Sequence, residues 1–185
     1  MSSFSTRFRM IEALISSKTR IKLLLKFFLN SSNKAYLRGL EEEFGESSNA
    51  IRLELNKLEQ VGMITSDMQG NKKYFKANVQ HPLFAELHSI IRKYIGIDTI
   101  IENVISQLGE VEKVYLTGEF AKGLNNHIID LEFVGKVNLN YLTGLIQKAE
   151  GLVNRKIRYV IYSPEEFEAL KPKDPGYKKL LIWSK

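Results

Sequence analysis

Apolar and polar positions alternate at helical spacing through the first part of the chain. Over Lys18–Leu29, the residues Ile21, Leu24, Leu25 and Phe28 share one face and predict an amphipathic helix. A polar turn over Asn30–Lys34 follows. Leu37, Leu40 and Phe44 then predict a short helix, which Gly45 can end in a left-handed cap. Ser47 or Ser48 can cap the next helix, where Ile51, Leu55, Leu58 and Val61 recur every three to four residues until Gly62 stops it. The apolar residues of this helix, Leu53 included, are expected to be core, with no function assigned to them. Met63–Met68 and Lys72–Ala77 read as strands of a hairpin with a Gly70-Asn71 turn and a basic second strand. Tyr74 and Phe75 alternate faces, so one of them belongs to the core. Before all of this, Phe4, Phe8, Ile11, Leu14 and Ile15 have spacing that permits a short helix.

Beyond His81-Pro82 the pattern widens. Leu83, Leu87, Ile90, Ile91, Tyr94 and Ile95 form a broad apolar stripe, with Pro82 suited to the first turn of the helix that carries it. Gly96 interrupts the stripe, and Ile97, Ile100, Ile101, Val104, Ile105 and Leu108 continue it. A stripe this wide fits either a dimer interface or ordinary core within the chain. The remainder reads strand, helix, strand. Strands are predicted over Val111–Leu116, Ile128–Val134 and Lys156–Tyr162, with a helix over Leu139–Leu152. Ser163, Pro164 and Glu166 form a capping-box pattern for a short helix. Leu180–Trp183 reads as an edge strand or a docked helix end.

The stretch from Tyr36 to Ala77 resembles the winged helix-turn-helix domain of ArsR-like and MarR-like transcription regulators. The resemblance rests on a short helix ending in Phe44-Gly45 and an entry of Ser47-Ser48-Asn49. The run Leu55-x-x-Leu58-Glu59-x-x-Gly62-Met63-Ile64 and a charged hairpin complete it. It implies that the second helix enters the major groove of DNA and that the hairpin acts as a wing.

Charge agrees in its placement. Residues 1–95 hold 15 Lys+Arg against 9 Asp+Glu, whereas residues 96–185 hold 12 against 12, so the whole net charge of +6 lies in the first half. A basic domain gains affinity for nucleic acid by releasing counterions from phosphates. Ser47, Ser48, Asn49, Arg52, Asn56 and Lys57 are the candidate contacts from the helix, and Asn71, Lys72 and Lys73 those from the wing. Arginine suits guanine and asparagine suits adenine, while serine hydroxyls and lysines suit phosphate. Two competing roles stay open. Arg52 can pair with Glu59, and the wing lysines can protect an edge strand from aggregation.

The chain has no cysteine, which excludes disulfides and thiolate metal sites. Ile21–Leu29 is interrupted by Lys22 and Lys26 and is too short to span a bilayer, and no signal peptide is read near Arg7 and Arg9. No membrane partner is expected, and a cytoplasmic location is. The three histidines have no metal-ligand spacing.

Residues 109–170 resemble the minimal nucleotidyltransferase domain. That family carries Gly-Ser-x-Ala-x-Gly after a strand, then Asp-x-Asp on the next strand, and a third carboxylate later. Gly118, Ala121 and Gly123 match the glycine pattern, with Glu119 in place of the serine. Asp130 is matched to the second aspartate, which sets Ile128 where the first belongs, and Arg158-Tyr159-Val160 offers no third carboxylate. Gly118, Glu119, Gly123 and Asp130 are thus expected to be the remnant of a nucleotide site that holds no metal and no cofactor and has lost catalysis.

Together these features predict an α+β protein. It comprises a winged helix-turn-helix domain over residues 1–80, a helical linker over 81–108 and a nucleotidyltransferase-like domain over 109–185. The expected function is a transcription regulator, not an enzyme, that binds double-stranded DNA as a homodimer. An unidentified ligand or protein is a further expected partner of the C-terminal domain. An active nucleotidyltransferase with a DNA-binding tether, or a protein-interaction module, are the alternatives.

Overall fold

The computed structural model describes residues 13, 15–108, 110–170 and 177–185. The helix expected from Phe4, Phe8, Ile11 and Leu14 lies outside them. The chain is mixed α and β with two separate sheets, and it divides into two compact units. One holds residues 9–91 together with 122–125, and the other holds 92–121 and 126–185.

In the N-terminal unit α1 spans Lys18–Leu24, with Ser17 accepting the Arg20 N–H at its start. The chain then widens into a π-helical turn over Leu25–Leu29. The sequence pattern predicted one amphipathic helix here, but every residue from Leu23 to Asn30 is buried. Lys26 is buried with the rest, and its Nζ lies 2.5 Å from the Glu43 carboxylate. The buried Asn33 amide donates to the Lys26 carbonyl at 2.9 Å, which satisfies a backbone acceptor in the widened turn.

The next segment departs from expectation. The polar turn expected over Asn30–Lys34 is present over residues 30–33, but Lys34–Tyr36 then forms a short strand, β1, that the pattern did not predict. α2 (Leu37–Phe44) follows and ends at Gly45 in the left-handed conformation, φ 63°. α3 (Ser48–Gln60) begins at Ser47, whose side chain accepts the Ala50 N–H. Ile51, Leu55 and Leu58 are 0, 1 and 5% exposed and carry α3 into the core with Leu40 and Phe44. Val61, read as the fourth core position, is 57% exposed because the helix has already ended. β2 (Ile64–Gln69) and β3 (Lys72–Ala77) form the predicted hairpin around Gly70, φ 63°. The sheet order is β1-β3-β2, all antiparallel. Phe75 is the buried member of the Tyr74-Phe75 pair.

Helix and hairpin are tied by one carboxylate. Glu59 at the end of α3 accepts from Lys73 Nζ at 2.8 Å and from the Ser66 hydroxyl. α4 (Phe84–Ile95) follows the His81-Pro82 turn, and its His88 Nδ1 lies 2.6 Å from the Phe28 carbonyl.

The C-terminal unit takes in the end of α4, then α5 (Ile97–Asn103) and a 3₁₀ turn over Ile105–Gln107. Its sheet holds β4 (Val111–Thr117), β5 (Ile128–Gly135), β6 (Lys156–Tyr162) and β7 (Leu180–Ser184). The order is β6-β5-β4-β7. β5 and β6 are parallel and joined through α7 (Leu139–Val153), whereas β4 is antiparallel to both β5 and β7. The short α6 (Gly118–Ala121) joins β4 to β5. Ile129, Leu131 and Phe133 point to one face. Thr143 of α7 lies 3.1 Å from the Tyr159 hydroxyl, on the strand position paired with Leu131, which places α7 over that face. α8 (Pro164–Ala169) closes one end of the other face, where Phe167 stacks on Tyr115 at 5.1 Å. The tail is thus an edge strand.

Phe133, Val114 and Trp183 occupy one rung of the sheet. Phe133→Ala should therefore destabilise this unit by about 3–5 kcal/mol. The fluorescence of Trp183, the chain's only tryptophan, will follow its urea transition. The Lys73 and Ser66 hydrogen bonds hold the Glu59 carboxyl below its ordinary range. That contribution to stability is present above the unfolded-state pKa and is lost as pH falls through the depressed folded value. Glu59→Gln should flatten the acid limb of the stability profile below about pH 5, as measured by denaturation of the wild-type and variant proteins at matched pH.

Candidate nucleic-acid interface and a second polar face

Burial of Ile51, Leu55 and Leu58 decides what α3 shows to solvent. With a repeat of 3.6 residues, Asn49, Arg52, Leu53, Asn56, Lys57 and Gln60 form one exposed stripe. Beside it the structure forms a cleft of about 510 Å³ between α3, the start of α2 and the hairpin. Arg38, Arg52, Lys72 and Lys73 line this cleft, and Leu55 and Phe75 contribute apolar surface. Among the described residues, no carboxylate lines it.

The candidate residues take different positions. Asn49, Arg52, Asn56 and Lys57 are exposed along α3, and Lys57 Nζ is 3.4 Å from Glu54. Arg52 makes no ion pair with Glu59, which is occupied by Lys73 and Ser66. Ser47 is the helix cap, as anticipated. Ser48 donates its hydroxyl to Glu41 and so ties α2 to α3. In the hairpin, Asn71 is exposed beside the turn. Lys72 Nζ sits 4.4 Å over the Tyr36 ring, while Lys73 is engaged by Glu59 and lies over Phe75. Lys73 therefore fixes the hairpin on α3, and Lys72 is the more available cation. Two residues were missed from sequence. Arg38 belongs to this cleft through β1, the strand that periodicity did not reveal. Leu53 was assigned to the core but is 56% exposed.

The C-terminal unit carries a second polar face. Across the sheet, Arg158, Asp130 and Thr117 share one rung, and Val160, Glu132, Tyr115 and Leu181 share the next. Thr117, Gly118, Asp130, Glu132, Arg158 and Tyr177 line a cleft of about 600 Å³. Gly118 is left-handed, φ 63°, and a Cβ there would lie 2.3 Å from Asp130 Oδ2. Glycine is thus required for the turn to approach this carboxylate. Asp130 accepts from Arg158 Nε at 2.7 Å, and Glu132 accepts from the Tyr177 hydroxyl. Burial, then the hydrogen bond to Glu132, raises the Tyr177 phenol above its ordinary range. Glu119 is half-buried in α6.

Two expectations for this face are corrected. Gly123, φ 78°, groups with residues 122–125 in the N-terminal unit, where a Cβ would come within 2.4 Å of Lys26 Cα. It is a packing glycine and does not line the cleft beside Asp130. The carboxylate spacing is also different. Asp130 is the carboxylate that abuts Gly118, and Glu132, two residues on, shares its face. The face thus has two carboxylates, not one with Ile128 in place of the other. His127 is exposed in the preceding loop.

No described helix is long and apolar enough to cross a membrane. No protein-family model matches the chain, and no curated protein matches it. Among solved structures, the crystal structure of a putative nucleotidyltransferase from Sulfolobus solfataricus is similar at 23% identity and a TM-score of 0.34. The match covers 48% of this chain and 77% of that one. At that level it assigns no activity here. The expectation that the chain is not an enzyme is withdrawn: it relied on a single surviving carboxylate, and the cleft has two. A pair of divalent metals does not fit these side chains as they stand. Asp130 is bound by Arg158, Glu132 by Tyr177, and no cluster of three acidic or histidine ligands exists among the described residues.

Proposed function

We propose that the chain is a DNA-binding transcription regulator whose N-terminal unit is a winged helix-turn-helix. α2, the turn at Gly45 and α3 form the helix-turn-helix, and β2–β3 form the wing. The observation that carries this reading is the cleft between α3 and the wing, lined among the described residues by four cations and no carboxylate. An acid-free cationic surface beside an exposed helix face suits the phosphates flanking a major groove. Arg52 and Asn56, on the exposed face of α3 and lining the cleft, are the base readers, with Asn49 nearer the helix start. Arg38, Lys57 and Lys72 serve phosphates. Lys73 sets the angle of the wing through Glu59. The partner is double-stranded DNA, bound by a homodimer that matches the two-fold symmetry of a palindromic site. The winged-helix resemblance of Tyr36–Ala77 and the concentration of net positive charge in residues 1–95 support the same reading.

The test is a salt titration of duplex binding. Arg38→Ala should lower the slope of log affinity against log salt by about 0.9, one phosphate contact, with little change in sequence preference. Arg52→Ala should relax preference at one base pair by about 1–3 kcal/mol. Lys148→Ala, on an exposed position of α7, should change neither. If neither arginine variant alters binding, the reading is wrong and the face contacts something other than DNA.

A further inference from the structure

Resting on the DNA-binding reading, one residue of α3 has no part in the contacts assigned so far. The exposed stripe of this helix is polar at Asn49, Arg52, Asn56, Lys57 and Gln60, and apolar only at Leu53. A single exposed leucine is ordinary on a protein surface. Leu53 differs in its surroundings. The core ridge of α3 is complete without it, since Ile51, Leu55 and Leu58 are at most 5% exposed. On the helix surface its neighbours at three and four positions are Asn49, Ala50, Asn56 and Lys57, and Arg52 adjoins it in the chain. Three of these four neighbours carry hydrogen-bonding side chains, and the fourth, Ala50, is small.

We infer that Leu53 reads a thymine methyl in the major groove, next to the base pair read by Asn56 or Arg52. Among the base edges of that groove, only thymine presents a methyl group, and it does so beside hydrogen-bonding atoms of its own and neighbouring pairs. Leu53 and Asn56 are separated by about 4.5 Å along the helix axis. That is close to the spacing of stacked base pairs, about 3.4 Å. Contact with the methyl would withdraw from water an apolar side chain that the fold itself leaves 56% exposed. Leu53 is thus a specificity-determining residue, and the preferred duplex contains a thymine at one defined position.

The experiment starts with the full chain and a random-sequence duplex pool, from which the preferred duplex is selected. Each thymine of that duplex is then replaced singly by deoxyuridine, which removes the methyl and keeps every hydrogen-bonding atom. Wild-type protein should bind about fourfold more weakly when one particular thymine is changed, the effect of one buried methyl. Leu53→Ala should bind the thymine and deoxyuridine duplexes equally, and circular dichroism will verify its fold. Three results overturn the inference. The wild type is indifferent to every replacement, the selected duplex has no thymine, or Leu53→Ala discriminates as the wild type does. If the wild type binds no duplex at all, the DNA-binding reading falls and the inference with it, so the two failures are distinguishable.

Discussion

The burial of Ile51, Leu55 and Leu58 is the constraint on which the N-terminal unit's surface depends. An α-helix has one rotational setting once its apolar ridge is seated. Seating these three against Leu40, Phe44 and the sheet turns Asn49, Arg52, Leu53, Asn56 and Lys57 outward together. The hairpin is then fixed to the same helix by Glu59, through Lys73 and Ser66. A core contact and one carboxylate between them determine the cleft between helix and hairpin. The cationic lining follows from where the chain places Arg38, Arg52 and Lys72, with no acid among the described residues lining the cleft beside them.

The C-terminal unit shows a comparable constraint on a smaller scale. Asp130 and Gly118 come so close that no side chain fits at the glycine. Arg158, on the parallel neighbour strand and in register with Asp130, supplies the positive charge that this carboxylate needs. Glu132 is satisfied by a phenol on the last segment of the chain. The face is therefore a polar network in which each carboxylate has its own partner, a cation for Asp130 and a phenol for Glu132.

Much of this was legible in the sequence, for identifiable reasons. Long periodic elements such as α3, α7, β5 and β6 fell within about two residues of their predicted bounds, the usual tolerance for strongly periodic segments. Gly45 and Gly70 were anticipated at the turns where positive φ is observed. Failures came where no period exists. β1 has three residues, too few to show alternation, and its loss hid Arg38 from the cleft. The turn over Leu25–Leu29 buries all sides, so an amphipathic pattern misdescribed it. Leu53 and Val61 were assigned by hydrophobicity alone, although the exposure of an apolar residue depends on helix phase and helix end. Glu132 was not counted among the site carboxylates, because motif spacing alone does not show that it shares a face with Asp130. Pairing of Asp130 with Thr117 across the strands sets the true register.

The most direct test of the central claim is amide hydrogen exchange of the whole chain, with and without random-sequence duplex DNA at low salt. The account predicts slowed exchange at residues 47–57 of the α3 segment and 69–74 of the hairpin, with the β4–β7 sheet unchanged. Unaltered exchange at α3 and the hairpin under saturating DNA, or slowing confined to the C-terminal sheet, would contradict it.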